Sequence, residues 1–362
     1  MPLDPELVSW LKLSLTPGLG GAALRQLLAA FGDPQRVLTA SRSALAQHVA
    51  DATAAAILQG GAEESVAAVG AWLEDPANGV LTLADDHYPP RLLQIADPPA
   101  LLYVKGRAEL LSRPSLAVVG SRNATAQGMA NAEAFARTLS DAGLTVVSGL
   151  ALGADAAAHR GGLAGASSSV AVLGTGVDLV YPARNRALAH QLAQNGALVS
   201  EFSLGTRALP GNFPRRNRLI SGLALGCLVV EAAADSGSLI TARLAAEQGR
   251  EVFAIPGSIH SPLAKGCHAL IKQGAKLVES ARDILEELQM PAPAPAAPAH
   301  PAAANARTRR LLDALGYESC DLDTLAARCG LPAAELAALL TQLELDGHIA
   351  TLPGGLIQRV QR

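Results

Sequence analysis

The chain has 362 residues, 49% of them hydrophobic and 17% charged, which suits sizeable cores and excludes a disordered protein. At about 150 residues per domain, this length implies two to three domains. The net charge of −3 excludes bulk attraction to nucleic acid, so any anion binding must come from a local patch.

The N-terminus, MPLDPELVSW, is acidic and lacks the basic region of a signal peptide. Residues 1–80 read as an all-helical domain. Leu24, Leu27, Leu28 and Phe31 fit one helix face, and the turn Thr16-Pro17-Gly18-Leu19-Gly20-Gly21 before them resembles a helix-hairpin-helix. A weaker second copy runs from Ser43 to Gln59. Such a hairpin can hold a DNA phosphate on its backbone amides. With few basic residues nearby (Lys12, Arg25, Arg36, Arg42), a simple helical cap is the favoured reading.

Residues 81–289 alternate strand and helix. Short apolar runs at Leu116–Val119, Leu144–Ser148, Val170–Leu173, Ala197–Ser200, Cys227–Val230, Val252–Ile255 and Lys276–Val278 suit parallel strands buried on both faces. Helical patterns at Gly128–Ala142, Ala154–Ala164, Arg186–Gln194 and Ser238–Gly249 lie between them, so an α/β, doubly wound, mostly parallel sheet is expected.

Four loops follow predicted strands, where ligands bind in an open parallel sheet. They are Gly120-Ser121-Arg122-Asn123, Ser148 and Gly149 through Gly153, Gly174-Thr175-Gly176, and Glu231 followed by Asp235-Ser236-Gly237-Ser238. Small residues, serine hydroxyls and helix N-termini favour an anion, and Arg122 adds a cation suited to phosphate. The absence of GxxxxGK[ST] argues against a P-loop ATPase, and the lack of GxGxxG after the first strand disfavours a dinucleotide site. Asp155 and His159, four residues apart, read as a structural polar pair rather than an acid–base couple. Thr206–Arg218, TRALPGNFPRRNR, holds Arg207, Arg215, Arg216, Arg218 and no acid, with Phe213 inside it. Basic residues around an aromatic suit a single-stranded backbone with a base free to stack.

The Pro/Ala stretch of residues 290–304 reads as an extended, semi-rigid linker. Residues 305–362 carry three helical patterns, Thr308–Leu315, Leu322–Arg328 and Pro332–Leu345. Strands Ile349–Leu352 and Leu356–Arg359 follow, joined by Pro353-Gly354-Gly355, which is the winged-helix pattern. Its third helix has no Lys or Arg and carries Glu335 and Glu344, so it is not expected to read duplex DNA. Cys227, Cys267, Cys320 and Cys329 show no CxxC spacing and read as small buried thiols in a reducing compartment. The apolar run Leu219–Val230, between Arg218 and Glu231, is too short to span a bilayer, and the uncharged run Gly161–Val177 is broken by Gly and Ser. A soluble, cytoplasmic protein without membrane, metal or cofactor is expected.

In order along the chain stand VVGSR (Val118–Arg122), SGLALGADAAAH (Ser148–His159), YPARN (Tyr181–Asn185) and SEF (Ser200–Phe202). NFPRRNRLISGL (Asn212–Leu223), VVEAAADSGSLITA (Val229–Ala242) and VFAIPG (Val252–Gly257) follow. Together these resemble the DprA/Smf family of DNA-processing proteins. The resemblance implies an extended Rossmann fold that binds single-stranded DNA without hydrolysis, protects it and hands it to RecA in natural transformation. It implies that Gly120, Ser121, Arg122, Arg216 and Asn217 line the phosphate pocket, and a homodimer with His268, Ile271 and Leu277 at its contact. Some members carry a Lys just before the FPxRN stretch. Here Pro210 stands in that place, leaving Arg207 or Arg215 to supply the charge. The rival reading is a nucleotide-processing enzyme of the phosphoribohydrolase type, or a nucleotide-sensing Rossmann protein. No Glu sits in the helical turn after Asp235–Thr241, which favours binding over hydrolysis.

Overall fold

The computed structural model describes residues 3–291, 306–316, 319–352 and 354–360. Six helices open the chain: α1 (Pro5–Ser14), α2 (Gly21–Phe31), α3 (Pro34–Thr39), α4 (Arg42–Leu45), α5 (Asp51–Gln59) and α6 (Glu63–Trp72). Asp4 caps α1 by accepting from the Glu6 amide at 3.0 Å, and Pro5 lies in the first turn, where no amide hydrogen bond is lost. The α1–α2 turn leaves Pro17, Gly18 and Gly20 exposed and tucks only Leu19 toward the sheet. Leu19 is buried, and Arg25 donates to the Pro98 carbonyl at 2.7 Å and pairs with Asp97 at 2.6 Å. Trp10, Leu11, Leu13, Leu24 and Leu27 share one core cluster with Tyr103, Ala171 and Leu198 of the sheet. The helices therefore cap the sheet, and their hairpin rests on it.

The sheet has nine strands: β1 (Asn78–Thr82), β2 (Leu101–Gly106), β3 (Ser115–Val119), β4 (Thr145–Ser148), β5 (Ser169–Val172), β6 (Ala197–Ser200), β7 (Gly226–Val229), β8 (Glu251–Ala254) and β9 (Lys276–Leu277). Their spatial order is β1-β2-β6-β5-β4-β3-β7-β8-β9. The last seven pair in parallel, close to the seven predicted runs. The antiparallel pair β1 and β2 was not expected and extends the sheet beyond β6.

Helices α7 (Ala126–Asp141), α8 (Ala154–Ala164), α9 (Arg186–Asn195), α10 (Asn212–Leu223), α11 (Ser238–Glu247), α12 (Lys265–Lys272) and α13 (Ala281–Glu287) flank the sheet. Alternation along each strand splits the core into two layers. Ala117, Val119, Val170 and Val172 pack with Leu219, Leu223 and Ala242 from α10 and α11. Leu116, Val118 and Val146 pack with Ala132, Leu139, Ala158 and Ile284 from α7, α8 and α13. The strand order reverses between β3 and β7, and a ligand crevice is expected at the carboxyl ends beside that reversal.

The C-terminal module has α14 (Ala306–Leu315), α15 (Leu322–Cys329) and α16 (Ala333–Leu345), then the antiparallel hairpin β10 (Ile349–Leu352) and β11 (Leu356–Arg359). Leu311, Leu315, Leu325, Leu336 and Ile357 fill its own core, giving the expected winged helix. The Pro/Ala segment, apart from Met290 and Pro291, and Pro353 of the hairpin turn lie outside the described residues. Among the described residues no helix is long and apolar enough to cross a membrane.

Candidate nucleic-acid interface

The basic segment is not a loop throughout. Asn212 onward forms α10, with Arg216, Leu219, Ile220 and Leu223 buried along one face. Pro214 sits in the first turn, where backbone amides have no helical partner, so it does not break the helix. The sequence hid this helix because an arginine occupies the first position of its buried stripe.

Arg216 is 4% exposed. Its Nη1 donates to the Gly149 carbonyl at 2.7 Å and to the Val172 carbonyl, and its Nε donates to Asn217 Oδ1 at 3.1 Å. Burial lowers its pKa to about 10, opposed by the charge of Asp155. Arg216 therefore bolts the ends of β4 and β5 together from beneath the surface. A Cβ on Gly149 would stand 2.2 Å from the Arg216 Nη2, so only glycine fits there.

The loop after β4 is held at every turn. Asp155 Oδ2 accepts from the Gly149 and Ala151 amides at 3.2 and 3.3 Å. Asn185 donates to the Leu150 and Ala151 carbonyls at 2.9 and 3.1 Å. The Leu150 amide donates to His159 Nε2 at 3.2 Å, so the imidazole proton lies on Nδ1, 2.7 Å from Ser169 Oγ. Burial pushes His159 down to about 3 and pushes Asp155 above the usual carboxylate range. Asp155 and His159 are thus the structural groups expected from the sequence, each holding backbone. Ser148 is fully buried, its hydroxyl donating to the Val118 carbonyl at 2.6 Å.

The crevice beside β3 and β7 is already filled. Glu231, two residues past β7, accepts from the Thr125 amide at 2.8 Å and the Thr125 hydroxyl at 2.7 Å. Its carboxylate lies at the N-terminus of α7, where a Rossmann protein would hold a pyrophosphate. A phosphate there would meet a resident negative charge. Gly120 lies against Ala154 and the Glu231 backbone, and the Ser121 amide donates to the Glu231 carbonyl at 2.7 Å. Of this first loop, Arg122 and Asn123 are exposed, and Arg122 is its only cation.

Arg122 lies 5.8 Å from the centroid of the Phe213 ring. Phe213 rests on Gly174 and meets Tyr181 at 5.6 Å between centroids, with the rings tilted by 43°. Tyr181 is 52% exposed, and the sequence analysis placed it in the YPARN motif without giving it a role. Its signal was present, an aromatic in the loop after the third parallel strand. Arg207 is exposed beside this row. Arg215, also exposed, lies over the Phe202 ring at 5.1 Å and pairs with Glu201 at 3.1 Å. Arg218 is drawn inward onto Glu201 and Asp97.

The structure thus brings Arg122, Phe213 and Arg207 together on the carboxyl edge of the sheet. Ser148, Gly149, Gly176 and Arg216 lie beneath that surface, and the Gly176 amide donates to the Thr206 carbonyl at 2.9 Å. Asn217 is half-buried against Arg216, and Gly153, with φ +73°, abuts the Ser121 carbonyl. Ser236 and Gly237 lead into α11 at Ser238, with the Ser236 and Ser238 hydroxyls 2.8 Å apart. His268 bonds the Gly257 carbonyl at 3.0 Å, Ile271 packs partly on the core, and Leu277 on the edge strand β9 is 45% exposed.

The model for DNA recombination-mediator protein A matches residues 79–289, and that for the DprA winged helix domain matches residues 291–355. Protein Smf of Escherichia coli is 45% identical over 295 residues, covering 79% of this chain and 79% of that protein. DNA processing protein DprA of Streptococcus pneumoniae is 46% identical over 208 residues, covering 58% of this chain and 73% of that protein. The X-ray structure of the S. pneumoniae protein superposes with a TM-score of 0.69 at 37% identity, covering 79% of this chain and 99% of that one. A Helicobacter pylori DprA structure, which concerns a single-stranded DNA binding mode, gives 0.53 at 29% identity, covering 58% and 95%. With both its sheet and its winged helix matched, this chain belongs to the DprA family of DNA recombination mediators.

Proposed function

We propose that this chain binds single-stranded DNA along the carboxyl edge of its sheet, as a cytoplasmic homodimer, and passes the strand to RecA without cleaving it. The observation that carries the reading is the exposed row Arg122–Phe213–Tyr181, flanked by Arg207. Aromatic faces accept unstacked bases and guanidinium groups accept backbone phosphates. Duplex bases are stacked on each other and cannot reach such a row, so single strands are preferred. The choice of RecA as recipient rests on family membership.

The enzymatic alternative lacks support from the same site. The first turn of α11 carries no acid, and Glu231 is engaged at the start of α7. In the winged helix, Glu335 pairs with Arg307 at 3.0 Å and Glu344 accepts from the Thr351 amide at 3.2 Å. A helix bearing these acids and no Lys or Arg suits contact with protein, or an auxiliary role, better than reading a duplex. The test is equilibrium binding to one labelled sequence as single strand and as duplex, with a parallel assay for free base released from nucleotides. Tighter single-strand binding with no base released is expected. Equal affinities, or released base, would overturn the reading.

A further inference from the structure

Beyond Tyr181 the surface opens into a groove of about 480 Å³, in whose lining Arg207 is the one contact expected from the sequence. Arg186 and His190, one turn apart on α9, form one wall, and Arg207 forms the other. Leu179, 36% exposed, lies within it, and Tyr181 stands at its mouth, shared with the Phe213 stack. Asp178 also lines it, but both its oxygens accept from the Gly205 amide at 3.0 Å, which ties that carboxylate to the loop wall. Among the described residues neither Arg186 nor Arg207 pairs with a carboxylate.

We infer that this groove carries the next part of the same DNA strand. Phosphate would lie between Arg186 and Arg207, and a base would lie on Leu179 and the outer face of Tyr181. The inference rests on the single-strand reading above and adds the direction in which the strand leaves the stack, toward α9. Three features agree. The volume falls in the range that holds a small organic ligand, roughly 300–1,000 Å³. Guanidinium groups on facing walls suit an anion that repeats along a polymer. Exposed apolar side chains between cations suit a base.

The test uses the full chain with Arg186→Ala and His190→Ala combined, both being exposed positions whose replacement should leave the melting temperature unchanged. Two oligothymidines are compared, one of about two nucleotides, enough for the Phe213 stack and one phosphate, and one of about twenty, beyond the usual site sizes. The double variant should bind the short strand like the parent and the long strand several-fold more weakly. Its log–log salt slope on the long strand should be shallower by roughly 0.7, one phosphate contact. Equal affinity of parent and variant for both lengths would overturn the groove assignment. Equal weakening on both lengths would also overturn it, since the groove would then act on the stack itself. An added nucleoside monophosphate that displaces the long strand only in the parent would mark the groove as a free-nucleotide site, which also contradicts a strand path. Arg122→Ala measured on the short strand separates the two claims. If that substitution has no effect, the single-strand reading fails; if it weakens binding while the groove variant does not, only the groove fails.

Discussion

Phe213 holds two roles that a substitution can separate. Its ring rests on Gly174 and Tyr181, yet it is only half-buried and contributes to the surface row. Phe213→Ala should cost about 1–3 kcal/mol of single-strand affinity, the usual worth of one base–aromatic stack. Its melting temperature should stay within a few degrees of the parent. A large drop in stability with unchanged affinity would make Phe213 a packing residue instead. His159 makes a different prediction, set by protonation. Its folded pKa, depressed to about 3, lies below the unfolded value near 6.5. The unfolded chain therefore binds the extra proton first, so this contribution is fully present above about pH 6.5 and is lost as pH falls toward 3. Between pH 7 and pH 5 the stability gap between the parent and His159→Gln should narrow by roughly 2 kcal/mol. Denaturant unfolding at the two pH values measures it, and a constant gap would show that His159 does not titrate on unfolding. The same residue shows what a single sequence can convey. An Asp and a His four apart signalled a buried polar pair, but their backbone partners, Gly149, Leu150 and Ala151, depend on how the loop folds back.

At the scale of elements, the parallel strands were legible and the basic helix was not. Strands β3 to β7 are buried on both faces, so each reads as a continuous apolar run bounded by polar or glycine residues. Helix α10 breaks that logic, because Arg216 occupies a core position and its charge is met by carbonyls from distant strands. The antiparallel strands β1 and β2 escaped for another reason. Strand β1 is only partly buried along most of its length, at the edge of the sheet, so its apolar signal is weak. The opposite edge is where the dimer is proposed. Strand β9 ends the sheet with two residues, and Leu277, Ile271 and the 66% exposed Ile259 offer apolar surface there. Ile271→Arg should place an unpaired charge in such an interface, at a cost of about 3–5 kcal/mol, and yield monomers. Leu277→Arg provides the check, because its exposed side chain leaves the fold intact. Sedimentation at micromolar concentration reads both, and two dimeric variants would place the contact elsewhere.

For the whole molecule, the sequence indicated that the four loops share one edge of the sheet but not which of their residues face outward. All four loops do follow parallel strands and meet on one side of the sheet, as the alternation of elements implied. Their burial is decided by partners far along the chain: Arg216 under Gly149, Glu231 under Thr125, and Val118 against Ser148. The surface they leave includes the cations Arg122, Arg207 and Arg215 and the aromatics Phe213 and Tyr181, with Asn123 and Asp235 also exposed, within a protein of net charge −3. Binding must therefore depend on a few local contacts, which makes it sensitive to salt and to single substitutions. The most direct measurement is the salt dependence of single-strand affinity for the parent and Arg122→Ala. Each phosphate neutralised on a single strand contributes a log–log slope of roughly −0.7. The variant is expected to bind more weakly, with a slope shallower by about that amount. An unchanged affinity and an unchanged slope would contradict a strand running along the Arg122–Phe213–Tyr181 row.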